Sequence, residues 1–153
     1  MDFAMTDEQE LLLESVREFC DRYFTEDVIK EMYETGDMPD KIAEAYRDAG
    51  FGLMGIPEEY GGIPCDKVTL GMMIEELYHS SGCNHILYQN SLTAFDIVEF
   101  GTPEQIQKYM DAYMETGWPL CSLSISEPGA GSDNRNMSCT AKKQDDGTYR
   151  LNG

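Results

Sequence analysis

Apolar residues in the first two-thirds of the chain recur at intervals of three and four. Leu12, Val16, Phe19 and Tyr23 fall on one stripe of a helix, and Thr6 followed by Gln9 supplies the capping box that starts it. A second, shorter helix is expected over residues 26–34, ending at Gly36. Pro39-Asp40 opens a third, with Ile42, Ala45, Tyr46 and Ala49 inward and Gly50 as its left-handed stop. The stretch from Phe51 to Gly62 is apolar, then turn-rich, and reads as a connecting loop. Asp66 is placed to cap a helix carrying Leu70, Met73, Ile74 and Leu77, and Asn84 to cap another running to Gly101. Thr102-Pro103-Glu104-Gln105 combines an N-cap hydroxyl, a proline in the first turn and a glutamine three residues past the cap, so a sixth helix should run to about Thr116 and stop at Gly117.

After Trp118-Pro119 the period changes to two. Cys121 to Ser126 alternates polar and apolar, which predicts a strand with Leu123 and Ile125 inward. Residues 138–143 and 148–151 flank Asp145-Asp146-Gly147, a hairpin signal. The pattern is therefore mainly α, with a helical domain over 1–117 and the opening of a β region over 118–153. Two or three strands are marginal alone, so the chain reads as unfinished at Gly153. It contains no internal repeat and no low-complexity tract.

Composition narrows the class. A chain of 153 residues, 41% hydrophobic, can bury roughly 70% of its unfolded surface, enough for one core. Eleven Lys+Arg against 29 Asp+Glu give a net charge of −18. Nucleic-acid binding and attachment to an anionic membrane both need clustered cations, and Lys142-Lys143 is the densest basic spot. No apolar run is long enough to span a bilayer, and Met1-Asp2-Phe3 lacks the basic and apolar regions of a signal peptide, so a cytoplasmic protein is expected. Five widely spaced cysteines and two histidines give no metal-ligand spacing and suit reduced, packed thiols. His79 is expected near a helix C-terminus and His85 exposed in a first turn, while the ten methionines read as core filler.

One segment carries candidate chemistry: Ser124-Ile125-Ser126-Glu127-Pro128-Gly129-Ala130-Gly131-Ser132-Asp133. Its two glycines leave backbone N–H groups open to an anion, and the hydroxyls of Ser126 and Ser132 add directional hydrogen bonds. It lacks the Gly-Lys-Ser/Thr end of a Walker loop, and no helix follows it as in a dinucleotide fingerprint. From composition alone, a surface turn between strands is the favoured reading.

The run from Ser126 to Asp133 closely resembles the flavin-binding signature of acyl-CoA dehydrogenases. Four further stretches agree in order and spacing: Thr6-Asp7-Glu8-Gln9, Gly55-Ile56-Pro57-Glu58-Glu59-Tyr60-Gly61-Gly62, Gly101-Thr102-Pro103-Glu104-Gln105 and Tyr149-Arg150-Leu151-Asn152-Gly153. Met1-Asp2-Phe3 and Leu87-Tyr88-Gln89 are also similar to crotonobetainyl-CoA reductase-type members. Two positions depart from the signature. Ser124 stands where Gly, Ala or Cys is usual, and Asn136 where a small residue is expected, which bears on the local turn.

The resemblance implies an N-terminal helical domain of acyl-CoA dehydrogenase type followed by an incomplete β-barrel domain, and FAD as the cofactor. In the family, flavin N5 takes a hydride from the β-carbon of an acyl-CoA thioester while a carboxylate removes the α-proton. That base usually lies in a C-terminal helical bundle, so no catalytic residue is assigned here. By the same resemblance, Leu123 and Ile125 run beside the isoalloxazine, Ser126 bonds the flavin, and Gly131 and Ser132 lie near the pyrophosphate, Ser132 also near the thioester. Glu127 and Asp133 are read as structural, bonding nearby backbone N–H groups. Gln89, Thr93 and Ala94 are candidates for setting the depth of an acyl pocket, with ordinary helix packing the favoured reading for each. An electron-transfer flavoprotein is the implied redox partner, and a homo-oligomer the implied assembly. An acyl-CoA oxidase or flavin monooxygenase of the same fold, and a non-enzymatic helical interaction module, are the alternatives.

Overall fold

The structure, a computed structural model, describes residues 4–118 and 122–153, and of residues 89–92 the backbone alone. The opening Met1-Asp2-Phe3, Cys121 and the Gln89 side chain therefore lie outside the described residues. The chain divides into two compact units, Met1–Ser122 and Leu123–Gly153.

Among its described residues the first unit contains six α-helices. Helix α1 (Asp7–Tyr23) and helix α6 (Pro103–Thr116) open on matching capping boxes. Thr6 Oγ1 accepts from Gln9 N at 3.2 Å while Gln9 Oε1 accepts from Thr6 N at 3.0 Å. Thr102 and Gln105 repeat the exchange at 3.3 and 2.8 Å, so each helix has two otherwise unpaired donors satisfied locally. Helix α2 (Glu26–Thr35) ends at Gly36 with φ 78°. Helix α3 (Asp40–Asp48) buries Ile42, Ala43 and Tyr46. Its inward face thus includes Ala43, whereas Ala49, expected inward, is exposed at the helix end. Helix α4 (Lys67–Ser81) starts where the Asp66 carboxylate accepts from Val68 N and Thr69 N at 2.8 and 3.0 Å.

Helix α5 (Leu87–Phe100) corrects the sequence reading twice. Asn84 does not cap it: the helix begins three residues later, with Ile86 at the cap position and no side-chain cap. His85, expected exposed, is 6% exposed. Its ring lies between Tyr78, 4.5 Å away and 12° from parallel, and Phe24 at 5.0 Å. Tyr78 Oη donates to the His85 carbonyl at 2.9 Å, which fixes this residue outside the helix. Neither imidazole nitrogen has a partner among the described residues, and burial pushes the pKa down to about 4.

Helices α1 and α4 pair across the unit through Gln9 Nε2 donating to Thr69 Oγ1 (2.8 Å) and through the Arg17–Glu76 ion pair (2.8 Å). Phe51 to Gly62 is more than a connection. It makes two 3-10 turns, Phe51–Leu53 and Glu58–Tyr60, and a single parallel bridge between Met54 and Ile63. Phe51 and Met54 pack with α1, α3 and α4, while Leu53 and Ile56 pack with Ala94, Ile106, Tyr109, Met110 and Tyr113. One short segment thereby feeds both halves of the core. Among the described residues no helix is long and apolar enough to cross a membrane.

The second unit carries one antiparallel hairpin, strands β1 (Thr140–Lys143) and β2 (Tyr149–Asn152), paired from Thr140–Asn152 to Lys143–Tyr149. Gly147, at φ 84°, completes the turn, and Asp146 Oδ1 accepts from Thr148 N at 3.0 Å. The strand expected over 121–126 is not formed over its described part. Residues 122–126 are extended without ladder bonds, and Leu123 and Ile125, expected inward, are 51% and 41% exposed. Alternation records a preference for a two-faced strand, but a strand also needs a neighbour to bond, and none stands beside it among the described residues.

Candidate functional site

The segment singled out by sequence forms a closed loop leading into β1. Glu127 N donates to the Ala130 carbonyl at 2.9 Å and Ala130 N returns a bond to the Glu127 carbonyl at 3.1 Å. These bonds make Glu127-Pro128-Gly129-Ala130 a tight turn, with Ala130 only 2% exposed. The chain then passes Gly131, Ser132 and Asp133 into a 3-10 turn, Asn134–Asn136. Asn136, the unexpected residue, is accommodated by use: its Nδ2 donates to Asp133 Oδ2 at 2.5 Å and its backbone N to the Asp133 carbonyl at 3.1 Å. Asp133 thus does bond a nearby backbone N–H, but through its carbonyl, its side chain serving the amide of Asn136.

Glu127 has both carboxylate oxygens engaged. Oε2 accepts from Ser138 N and Ser138 Oγ, each at 2.7 Å, and Oε1 accepts from Cys139 N at 2.8 Å. The Ser138 amide first, then the Ser138 hydroxyl and the Cys139 amide, hold this carboxyl below its ordinary pKa.

What remains unused in the loop is a set of donors. The N–H groups of Gly131 and Ser132 and the hydroxyls of Ser126 and Ser132 make no hydrogen bond among the described residues. Neither Gly129 nor Gly131 needs to be glycine for the fold. Neither takes a positive φ, and a Cβ added at either meets nothing within 4 Å. Neither backbone geometry nor packing among the described residues requires glycine at 129 or 131, and the missing side chains leave that face of the loop open. Free backbone donors, hydroxyls and a bare face suit the phosphates of a dinucleotide. Among the described residues no group of three or more His, Cys, Asp or Glu side chains is arranged to hold a metal ion.

The other sequence candidates lie on α5. Thr93 and Ala94 are 4% and 0% exposed, and Thr93 Oγ1 sits 3.2 Å from the Tyr109 hydroxyl of α6. These two side chains face the core between α5 and α6. A cleft of about 530 Å³ beside α5 is lined instead by Tyr88, Phe95, Val98 and Glu99, with Leu70 and Ile74 of α4 opposite. A smaller cavity of about 180 Å³ is bordered by His85, Cys83, Met32, Met38 and Trp118. His85 has no signal in its own neighbourhood of sequence. Its stacking partners come from the end of α1 and from α4, and only the folded chain joins them.

Comparison with known proteins gives a consistent set. The family described as acyl-CoA dehydrogenase, N-terminal domain, matches residues 6–116. The probable acyl-CoA dehydrogenase YdiO of Escherichia coli strain K12 is 37% identical over 153 residues, which is all of this chain and 39% of that protein. Butyryl-CoA dehydrogenase from Megasphaera elsdenii is 28% identical with a TM-score of 0.75, over all of this chain and 41% of that one. A glutaryl-coenzyme A dehydrogenase in complex with glutaryl-CoA is 28% identical with a TM-score of 0.81, over all of this chain and 39% of that one. The chain thus spans about two fifths of the length of the relatives it matches.

Proposed function

The chain belongs to the acyl-CoA dehydrogenase family by its N-terminal domain, and from that premise we propose that it is the N-terminal part of a flavin-dependent enzyme acting on the α,β-bond of an acyl-CoA thioester. In this reading residues 1–117 are the helical domain and 118–153 the start of the middle β domain. The observation that carries the reading is the loop. Among the described residues neither φ nor packing requires glycine at 129 or 131, and the N–H and hydroxyl donors beside them make no hydrogen bond. FAD, when bound, supplies the redox chemistry by accepting a hydride from the β-carbon of the thioester.

The chain's own residues bind and orient. Gly131 N–H and Ser132 N–H and Oγ hold the pyrophosphate, and Ser132 also lies toward the thioester. Ser126 Oγ bonds the flavin ring system, and the backbone of Leu123 and Ile125 runs beside it. The exposure of Leu123 and Ile125 supports this assignment, since apolar side chains flanking a flavin gain their burial on binding. On α5, Gln89, Thr93 and Ala94 set the depth of the acyl pocket. Thr93 and Ala94 act from behind, by fixing how α5 packs on α6. No residue of this chain is assigned as the base. An electron-transfer flavoprotein is the acceptor in this reading, and a homo-oligomer the assembly.

The test is anaerobic reduction of the complete enzyme by a panel of acyl-CoA thioesters, followed by exposure to air. A dehydrogenase loses its visible flavin absorbance with substrate and regains it slowly in oxygen. Rapid reoxidation by oxygen would transfer the assignment to an oxidase or monooxygenase of the same fold. Absence of FAD from the complete protein would leave only a helical interaction module.

A further inference from the structure

We propose that Glu127 is the positioning residue of the flavin loop: its carboxylate latches the start of the loop to its end, and that latch shapes the pyrophosphate cradle. This rests on the reading of residues 126–132 as the FAD site. The excursion from Glu127 to Ser138 is closed by three hydrogen bonds that the Glu127 side chain accepts, at 2.7, 2.7 and 2.8 Å. The remaining bonds within it are local. They comprise the Glu127–Ala130 pair, the bonds of Asn136 to Asp133, and Met137 N to the Asn134 carbonyl at 3.4 Å. None of these local bonds joins one end of the excursion to the other. The latch lands on Ser138 and Cys139, immediately before β1, whose register on β2 anchors that end. Closing a loop of this length costs chain entropy, and a loop left open would have to be ordered by the ligand at the expense of affinity. Gly131 and Ser132 lie midway in the excursion, so joining its ends shortens the range of positions they can sample.

The chemistry of the latch requires a carboxylate. Three donors meet two oxygens, so both oxygens must accept. A glutamine keeps the shape but presents an NH2 group to an N–H donor at one of the two positions. The bonds also occupy the oxygens of an acid that stands within an anion site, in a chain of net charge −18. Charge-assisted bonds from backbone N–H are the kind that hold such a group.

The experiment compares wild type, Glu127→Gln, Ser138→Ala and Gly131→Val in the complete enzyme. Three readouts are taken: amide hydrogen exchange over 127–139, the FAD dissociation constant, and the phosphorus resonances of bound FAD. The proposal expects Glu127→Gln to speed exchange across 127–139 while α1 and α4 keep their protection. FAD should bind at least tenfold more weakly, with pyrophosphate resonances shifted toward those of free FAD. Ser138→Ala, losing one bond of three, should fall between Glu127→Gln and wild type. Unchanged exchange in both Glu127→Gln and Ser138→Ala overturns the latch. FAD affinity and phosphorus resonances kept in Glu127→Gln but affinity lost in Gly131→Val overturn the positioning role and leave the site standing. Affinity kept in both overturns the site and the latch's role together.

Discussion

Ser126 and Ser132 offer hydroxyls that make no hydrogen bond among the described residues, so under the proposed flavin site replacing either with alanine removes a bond to the ligand without taking one from the fold. Each change should weaken FAD binding by about 1 kcal/mol, roughly fivefold, and more where the partner is a phosphate. Flavin fluorescence quenching in the complete enzyme reads this, and the melting temperature of the apo-protein should not move. His85 makes the opposite kind of prediction, because its effect is on stability. Its folded pKa of about 4 lies below the unfolded value near 6.5, so the unfolded chain binds the extra proton first. The stability is therefore complete above about pH 6.5 and falls progressively toward pH 4, by roughly 3 kcal/mol at most. Urea titrations across that range should show the loss, and His85→Phe should flatten this part of the profile.

At the scale of elements, what the sequence reveals and what it hides divide along locality. The capping boxes at Thr6 and Thr102, the glycine stops at Gly36 and Gly117, and the turn at Gly147 all work within a few residues, and each forms as its local chemistry dictates. Thr102→Ala should cost about 1 kcal/mol in urea unfolding. The segment Phe51 to Ile56 is different. Its turn residues mark a loop, but its role in both halves of the core depends on α3 and α6 closing over it. Gly52 shows the constraint: a Cβ there would overlap the Tyr113 hydroxyl and press on the Tyr46 ring. Gly52→Ala should therefore lower Tm through a loss of about 1–3 kcal/mol, although the position looks like any other loop glycine in the sequence. The start of α5 and the failed strand at 122–126 have the same cause. Asn84 has the chemistry of a cap, but the burial of His85 sets where the helix begins. Leu123 and Ile125 have the alternation of a strand but no partner beside them among the described residues. The loop itself was legible by resemblance, and its carboxylate latch only as a general expectation, because the donors at Ser138 and Cys139 lie beyond the motif.

Considered whole, the chain combines a helical unit with a real core and a second unit whose strand residues are all exposed. A dinucleotide must be enclosed on several sides to offset the ordering that binding requires. The loop supplies one side. The chain of 153 residues alone should consequently fold in its helical unit, hold FAD weakly, and fail to oxidise an acyl-CoA with an artificial acceptor. A yellow, stoichiometrically loaded and active protein of this length would contradict that. Gly131→Val in the complete enzyme, with FAD affinity measured by fluorescence quenching and apo-protein stability measured alongside, decides whether the bare face of the loop serves the cofactor. Because a Cβ at Gly131 meets only open space and no positive φ is needed there, the account predicts unchanged stability and a loss of FAD affinity of a hundredfold or more. Unchanged FAD affinity in that variant would contradict it.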